Sequence, residues 1–407
     1  MKVAIVVEGT RGDVYPMLAL GASLMSAGHG VRLLAPPDFE QVAGSRGVEF
    51  CALGANIREF LTGAAAALHS RGVKIFTVMQ RWSRQSVANQ FRVLPEATAD
   101  VDFVIAAGTI LSASSVAELH GLPYRYVTYT PAMLPSQDHS PITFPFQVRS
   151  RWVNRMLWPA ASLTMNALMR RDLNAHRSQI GLPPLRDIVP YLLSERPIVA
   201  VDRHLAPVPE DCPVACDQIR CLHPLTGEPL PEKLQSFLEA GPPPVFLGFG
   251  SMTDPDPART TRRLLEAIEQ LGCRALLSRG WAGLGDVPLP ESVMAIEPVS
   301  HASLFPQLAA VVHRGGSGTT HTAARAGVPQ IIIPHVLDQF YFGHRIAALG
   351  VGPPPIPRAR LSVERLMEAL GATLENELVA ERARELAERL AELGSVSADP
   401  AVVLQPS

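Results

Sequence analysis

Short runs of aliphatic and β-branched residues recur along the chain, each followed by a glycine-bearing turn and a stretch long enough for a helix. Continuous rather than alternating apolar runs suit strands buried on both faces, so the pattern predicts βαβ units around parallel, helix-covered sheets. The pattern occurs twice. The first half has predicted strands at Lys2–Val7, Val31–Ala35, Phe103–Ala107 and Tyr124–Tyr129. The second has them at Val245–Phe249, Ala275–Ser278, Met294–Ile296, Ala310–His313 and Gln330–Ile333. Between about Ala206 and Pro244 prolines crowd together, and proline resists both helix interior and central strand. That stretch is expected to be a linker with one short helix near Lys233–Glu239. The resulting division is an N-terminal Rossmann-like domain over 1–205, a linker over 206–243, a C-terminal Rossmann-like domain over 244–394, and a loose tail over 395–407. Amphipathic helices are expected between Leu361 and Leu393.

Composition narrows the function classes. The 407 residues are 47% hydrophobic and 18% charged, enough apolar material for two buried cores. Lys and Arg number 36 against 38 Asp and Glu, a net charge of −2, so there is no basic field for nucleic acid. Five cysteines, an odd number, do not read as a disulfide framework, and a reducing, cytoplasmic setting is expected. The apolar run Val3–Val7 is shorter than a signal-peptide core, and no run approaches the roughly 18 apolar residues of a membrane span. Membrane contact, if any, is expected to be peripheral.

The chemistry concentrates in turns at strand ends. After the predicted strand Ala310–His313 comes Arg314-Gly-Gly-Ser-Gly-Thr-Thr320 and then a helix. Glycines before a helix let backbone amides approach a ligand, and the unpaired N–H groups and dipole of the helix start favour phosphate. Gly9-Thr-Arg-Gly-Asp13 follows the first strand, but it is not the dinucleotide-binding GxGxxG, and a dehydrogenase reading is weak. Asp13 reads either as an N-cap, with a helix beginning near Val14, or as a base whose acidity under the helix dipole burial would have to offset. Ser251, at the end of Gly248-Phe-Gly-Ser251, is placed to face a phosphate at a sheet's carboxyl edge. Asp338 and Gln339 pair an acceptor with a donor, which suits a polyhydroxylated ligand.

Together these segments resemble the GT-B, family 1 glycosyltransferases, in particular bacterial natural-product enzymes and sterol glucosyltransferases. Gly9-Thr-Arg-Gly-Asp-Val-Tyr-Pro16 is similar to that group's Gly-Ser/Thr-Arg-Gly-Asp-x-x-Pro. Ser278-Arg-Gly-Trp281, Val299-Ser-His301, His313–Thr320, Arg325-Ala-Gly-Val-Pro329 and Asp338-Gln-Phe340 match in order. The resemblance covers nearly the whole chain. It implies two Rossmann-like domains facing across a cleft and an inverting transfer that needs neither metal nor a further cofactor, with a UDP-sugar or dTDP-sugar as co-substrate. By position it implies Asp13 as general base, and His313, Gly315, Gly316, Ser317, Gly318, Thr319, Thr320, Ser251 and Arg11 at the donor diphosphate. It also implies Asp338 and Gln339 at the sugar, with Trp281 and Val299 around the nucleobase and ribose. The loop Pro131–Gln147, with Met133, His139, Phe144 and Phe146, falls where relatives recognise acceptors. Its apolar content suggests a hydrophobic small molecule such as a polyketide, peptide antibiotic, sterol or lipid.

The chain departs from the family at two places. Arg314 stands where a second histidine is usual, either adding charge at the diphosphate or pointing to solvent. His321 stands where plant relatives carry a ribose-binding glutamate, which leaves UDP and dTDP both open. Other signals have plainer readings. Asp254-Pro-Asp256 mimics a metal motif, but Asp256 before Pro257 reads as a helix cap. Cys212, Cys216, Cys221 and His223 have no common zinc spacing. The stretch from Arg149 to Arg171, with Trp152 and Trp158, fits core packing first, then an acceptor wall or a membrane surface. The rival functions are an epimerase or hydrolase on the same fold, and a non-catalytic nucleotide-sugar-binding auxiliary protein.

Overall fold

The computed structural model describes every residue except 69–72, 223–226, 395–397 and 406–407, which leaves His223 outside the described residues. The N-terminal domain is built on β1 (Lys2–Glu8), β2 (Gly30–Ala35), β3 (Glu49–Ala52), β4 (Phe103–Gly108), β5 (Tyr124–Thr128), β6 (Ile198–Ala200) and β7 (Asp217–Ile219). These strands form one parallel sheet in the order β3-β2-β1-β4-β5-β6-β7. The C-terminal domain is built on β8 (Val245–Gly248), β9 (Ala275–Ser278), β10 (Val293–Ile296), β11 (Ala310–His313) and β12 (Gln330–Ile332), in the parallel order β10-β9-β8-β11-β12. Val3 to Val7 are completely buried, as a strand covered by helices on both faces must be.

This topology fixes where a ligand can bind. In each sheet the chain runs outward in one direction and then reverses, between β1 and β4 in the first and between β8 and β11 in the second. Crevices open at the carboxyl ends of strands where the order reverses. The turns after β1, β8 and β11 are the ones that carry the candidate chemistry.

The linker does more than connect. β7 lies inside it and extends the N-terminal sheet, held by Asp217, which receives Arg125 and Arg196 at 2.6 Å each. The helix Glu232–Glu239 buries Leu234 and Leu238 against Phe246 and Leu276 of the C-terminal domain. The tail also departs from expectation. Pro400–Val403 is helical, capped by Asp399, and Ala398 and Val403 are buried in the core of the N-terminal domain. The fully buried Arg125 donates to the carbonyls of Val402 and Gln405 at 3.2 and 3.0 Å. The described part of the tail is docked, because it satisfies a buried guanidinium and covers apolar surface.

Core packing accounts for only one side of the long helix Arg151–Gln179. Trp158 donates its Nε1–H to the Ser136 carbonyl at 2.7 Å, while Trp152 and Leu163 are 70% and 71% exposed. Among the described residues no helix is long and apolar enough to cross a membrane. The two domains meet in a buried ion pair: Arg325, in the helix Ser317–Arg325, reaches Asp202 beyond β6 at 2.7 Å. Arg220 lies 3.7 Å from the same carboxylate.

Candidate active site

The turn after β1 gives Asp13 its setting. The helix starts at Arg11, earlier than its apolar pattern suggests, because Thr10 caps it and Asp13 completes a capping box from the first turn. The Thr10 amide donates to Asp13 Oδ2 at 2.8 Å, and Tyr129 Oη donates to the Asp13 carbonyl at 2.7 Å. Gly9 is required here: its φ is +155°, and a Cβ would overlap the Asp13 carboxylate. The cap bond and the charge of Arg314 favour the carboxylate, but burial outweighs them and raises the Asp13 pKa above its ordinary value. The opposition between helix start and burial thus resolves towards a stronger base.

The turn after β11 is held from below. His313 is buried, and its Nδ1 accepts the Gly315 amide at 3.1 Å, which leaves Nε2 to donate to Gln330 Oε1 at 2.9 Å. Burial depresses its pKa to about 3, so the ring is neutral and both nitrogens brace the turn. Gly315, at φ +89°, packs where a Cβ would meet Ile332 and the Gln339 carbonyl, bringing this turn against the Asp338–Gln339 segment. Gly316 begins the helix Ser317–Arg325 without a capping side chain, so the amides of Ser317, Gly318 and Thr319 have no partner among the described residues. The Thr320 hydroxyl, expected as a donor, instead bonds back to the Gly316 carbonyl at 2.9 Å. Ser251 is buried beyond β8, and its hydroxyl makes no hydrogen bond among the described residues.

Asp338 stands at the start of the helix Gln339–Leu349 with no capping bond from its side chain. Its pKa is pushed up to about 7, first by burial and then by the negative charge of Asp13, with Arg314 opposing. Gln339 Oε1 accepts the amides of His335 and Val336 at 2.8 and 3.2 Å, fixing the side chain by its oxygen. Arg11 lies with its guanidinium 5.9 Å from the Trp281 ring centroid, joining two more candidates across the domains. Val299 packs into the cluster around Leu304 and Phe305.

The acceptor candidates divide. Met133 packs against the N-terminal core, and Phe144 and Phe146 pair at 5.5 Å between ring centroids, Phe146 being exposed. His139 is buried, bonded to the Leu134 carbonyl at 3.0 Å, with its ring edge-on to Trp158 and to Tyr341 of the other domain. The Asp254–Asp256 segment has a structural role. Asp256 caps the helix Pro257–Gln270, and Asp254 is paired with Arg358. Burial raises the thiol pKa values of Cys212, Cys216 and Cys221.

Residues 3–136 match the glycosyltransferase family 28 N-terminal domain, and residues 278–401 match the erythromycin biosynthesis protein CIII-like C-terminal domain. The chain is 36% identical over 382 residues to a vancomycin aglycone glucosyltransferase of Amycolatopsis orientalis, covering 88% of this chain and 87% of that protein. The chain belongs to the GT-B glycosyltransferases. A sterol 3-beta-glucosyltransferase of Arabidopsis thaliana is 33% identical over 98% of this chain and 67% of its own length. The solved glycosyltransferase of kitacinnamycin shares the fold at TM-score 0.73 and 20% identity, covering 97% of this chain and 95% of its own. The glycosyltransferase VinC, solved in complex with dTDP, does so at TM-score 0.66 and 21% identity, covering 98% and 97%.

Two residues of this glycosyltransferase take places that sequence reasoning left open. His321 is buried between the domains, with Nδ1 donating to the Ser317 carbonyl at 2.7 Å and Nε2 accepting the Asp202 amide at 3.2 Å. Both ring nitrogens are therefore engaged within the protein. Arg314 turns inward rather than to solvent, donating to the Phe249 carbonyl at 3.2 Å. Its charge acts on both Asp13 and Asp338.

Proposed function

We propose that this glycosyltransferase is an inverting, metal-independent enzyme that moves a hexose from a UDP-sugar or dTDP-sugar to a hydroxyl of a hydrophobic small molecule. The observation that carries the reading is the meeting of Asp13, from the N-terminal domain, with Asp338 and the uncapped 317–319 helix start, from the C-terminal domain. In-line displacement at an anomeric carbon needs a base on one face and charge stabilisation of the leaving group on the other. Asp13, made more basic by burial, takes the proton of the acceptor hydroxyl. The amides of Ser317, Gly318 and Thr319, with Arg11 and Ser251, receive the diphosphate, and His313 contributes by bracing the turn. The Asp338 carboxylate and the Gln339 amide hold sugar hydroxyls, and Trp281 and Val299 wall the nucleoside.

The names of the relatives support an apolar acceptor, since one is named for the vancomycin aglycone and another for a sterol. The dTDP bound to a neighbour of the same fold supports a thymidine or uridine diphosphate donor. Asp13→Asn removes the base while keeping the shape. It is expected to lower transfer about 10²–10⁴-fold and to leave the dissociation constants of UDP and dTDP unchanged. Isothermal titration alongside a transfer assay checks this, and full turnover in the variant would remove Asp13 from the mechanism.

A further inference from the structure

Among the described residues Arg314 is the one cation placed to act on the carboxylates of both domains at once. Its guanidinium lies among three loops. It bonds the Phe249 carbonyl after β8 through one N–H at 3.2 Å, its Nε sits 3.2 Å from where a Gly316 Cβ would be, and its Nη2 sits 3.9 Å from where a Gly12 Cβ would be. A guanidinium carries five N–H donors. Among the described residues Phe249 is its only hydrogen-bonding partner, and no carboxylate lies within ion-pair distance. A half-buried fork of donors with one bond made, beside an uncapped helix start and a buried unbonded serine, is built to meet an anion from outside.

We propose that Arg314 is a catalytic residue that grips the donor diphosphate with its free N–H groups, on the side of the leaving oxygen that faces Asp13. The inference rests on the glycosyl-transfer reading above. In that reaction the acceptor oxygen bonds to the anomeric carbon and its proton passes to Asp13. The bond from that carbon to the β-phosphate oxygen breaks, and its electron pair stays on the phosphate. The leaving diphosphate therefore gains negative charge as the bond breaks, and a fixed guanidinium binds it more tightly in the transition state than in the ground state. Arg314 thus takes over on one side of the turn the charge that the His313 ring, neutral and bonded on both nitrogens, does not supply. Lysine at 314 keeps the charge and loses the fork.

The test compares UDP with UMP, and dTDP with dTMP, by isothermal titration of the full chain and of Arg314→Gln and Arg314→Lys, with the transfer assay alongside. The expected result is that Arg314→Gln weakens the diphosphates about tenfold to a hundredfold and the monophosphates much less, so that the preference for diphosphate collapses, with Arg314→Lys in between. The acid limb of transfer moves to higher pH in Arg314→Gln, because Arg314 holds the Asp13 pKa down. If the full chain binds UDP or dTDP and the preference survives in Arg314→Gln, the inference is overturned and the glycosyl-transfer reading stands. Equal weakening of mono- and diphosphate, which a merely structural role would give, overturns it too. If the unaltered chain binds neither diphosphate, the reading of the whole site fails, and this inference with it. Should Arg314→Gln not fold, the Arg314→Lys ratio decides.

Discussion

Asp13 and Asp338 are carboxylates from different domains close enough for one to feel the other's charge, and each is less acidic than an ordinary aspartate for the same leading reason, burial. Their residue types and positions at strand ends were legible in the sequence. Their mutual repulsion was not, because it depends on how the two domains bring together residues more than three hundred positions apart in the chain. Arg314 was opaque for the same reason: nothing local says whether an arginine in a glycine turn faces solvent or a pair of acids. The Asp338 value of about 7 has a consequence for stability. Its pKa in the unfolded chain is about 3.9, so between roughly pH 4 and 7 the folded state binds more protons than the unfolded one. The stabilising contribution is complete below about pH 4 and is lost as pH rises through 7. Asp338→Asn removes that loss. The variant should gain thermal stability over the parent progressively between pH 4 and 7, hold the gain at pH 8, and use donor poorly. Melting curves at several pH values check it, and parallel curves for the two proteins would mean the carboxyl is not perturbed.

At the scale of elements, the strands that position the site were the easiest to read. β1, β4, β8 and β11 are continuous apolar runs buried on both faces, so their pattern is unambiguous. β3, β6 and β7 were missed. β3 is a half-buried edge strand, β6 has three residues, and β7 has three within a proline-rich stretch where composition argues against a strand. The start of the first helix was misplaced because capping by Thr10, rather than the apolar pattern, sets it. The turn after β11 behaves as a single device, since His313, Gly315 and Gln339 hold one another in place. Gly315→Ala tests that coupling. Alanine at φ +89° is strained, and its Cβ collides with Ile332 and the Gln339 carbonyl, so the turn must move away from the Asp338–Gln339 pair. The expected cost is about 1–3 kcal/mol of stability, together with weaker binding of UDP or dTDP, read by thermal unfolding and titration. An unchanged dissociation constant would show that the turn and the pair are not coupled.

Over the whole molecule, the division into two α/β domains was legible from the doubled strand pattern, whereas the ties between them were not. One tie is the Asp202–Arg325 pair, and another is a continuous apolar cluster joining Leu205 and Ala206 to Phe342, Ile346, Leu386 and Leu390. The third is the tail, whose composition suggested a loose end. From the C-terminal helix Glu377–Ala391 the chain returns to the N-terminal domain, where Val403 fills its core and the carbonyls of Val402 and Gln405 complete the bonding of Arg125. Removing residues 395–407 therefore withdraws two acceptors from a fully buried guanidinium whose one other partner among the described residues is Asp217, and it exposes the apolar patch that Val403 covers. Each hydrogen bond to a charged group is worth about 1.5–3 kcal/mol and burial of a valine about 1.5–3 kcal/mol, so losing two such bonds and the valine contact should cost the truncated chain roughly 4.5–9 kcal/mol. Because the segment belongs in sequence to one domain and in packing to the other, the loss should fall on unfolding of the N-terminal domain, whose turn carries Asp13. Transfer should then decay on mild heating before UDP or dTDP binding does, since the 313–320 turn proposed to hold the diphosphate lies on the other domain. Denaturant unfolding and temperature-dependent assays of the truncated chain measure both effects. Unaltered unfolding would return the tail to the loose end its composition suggests.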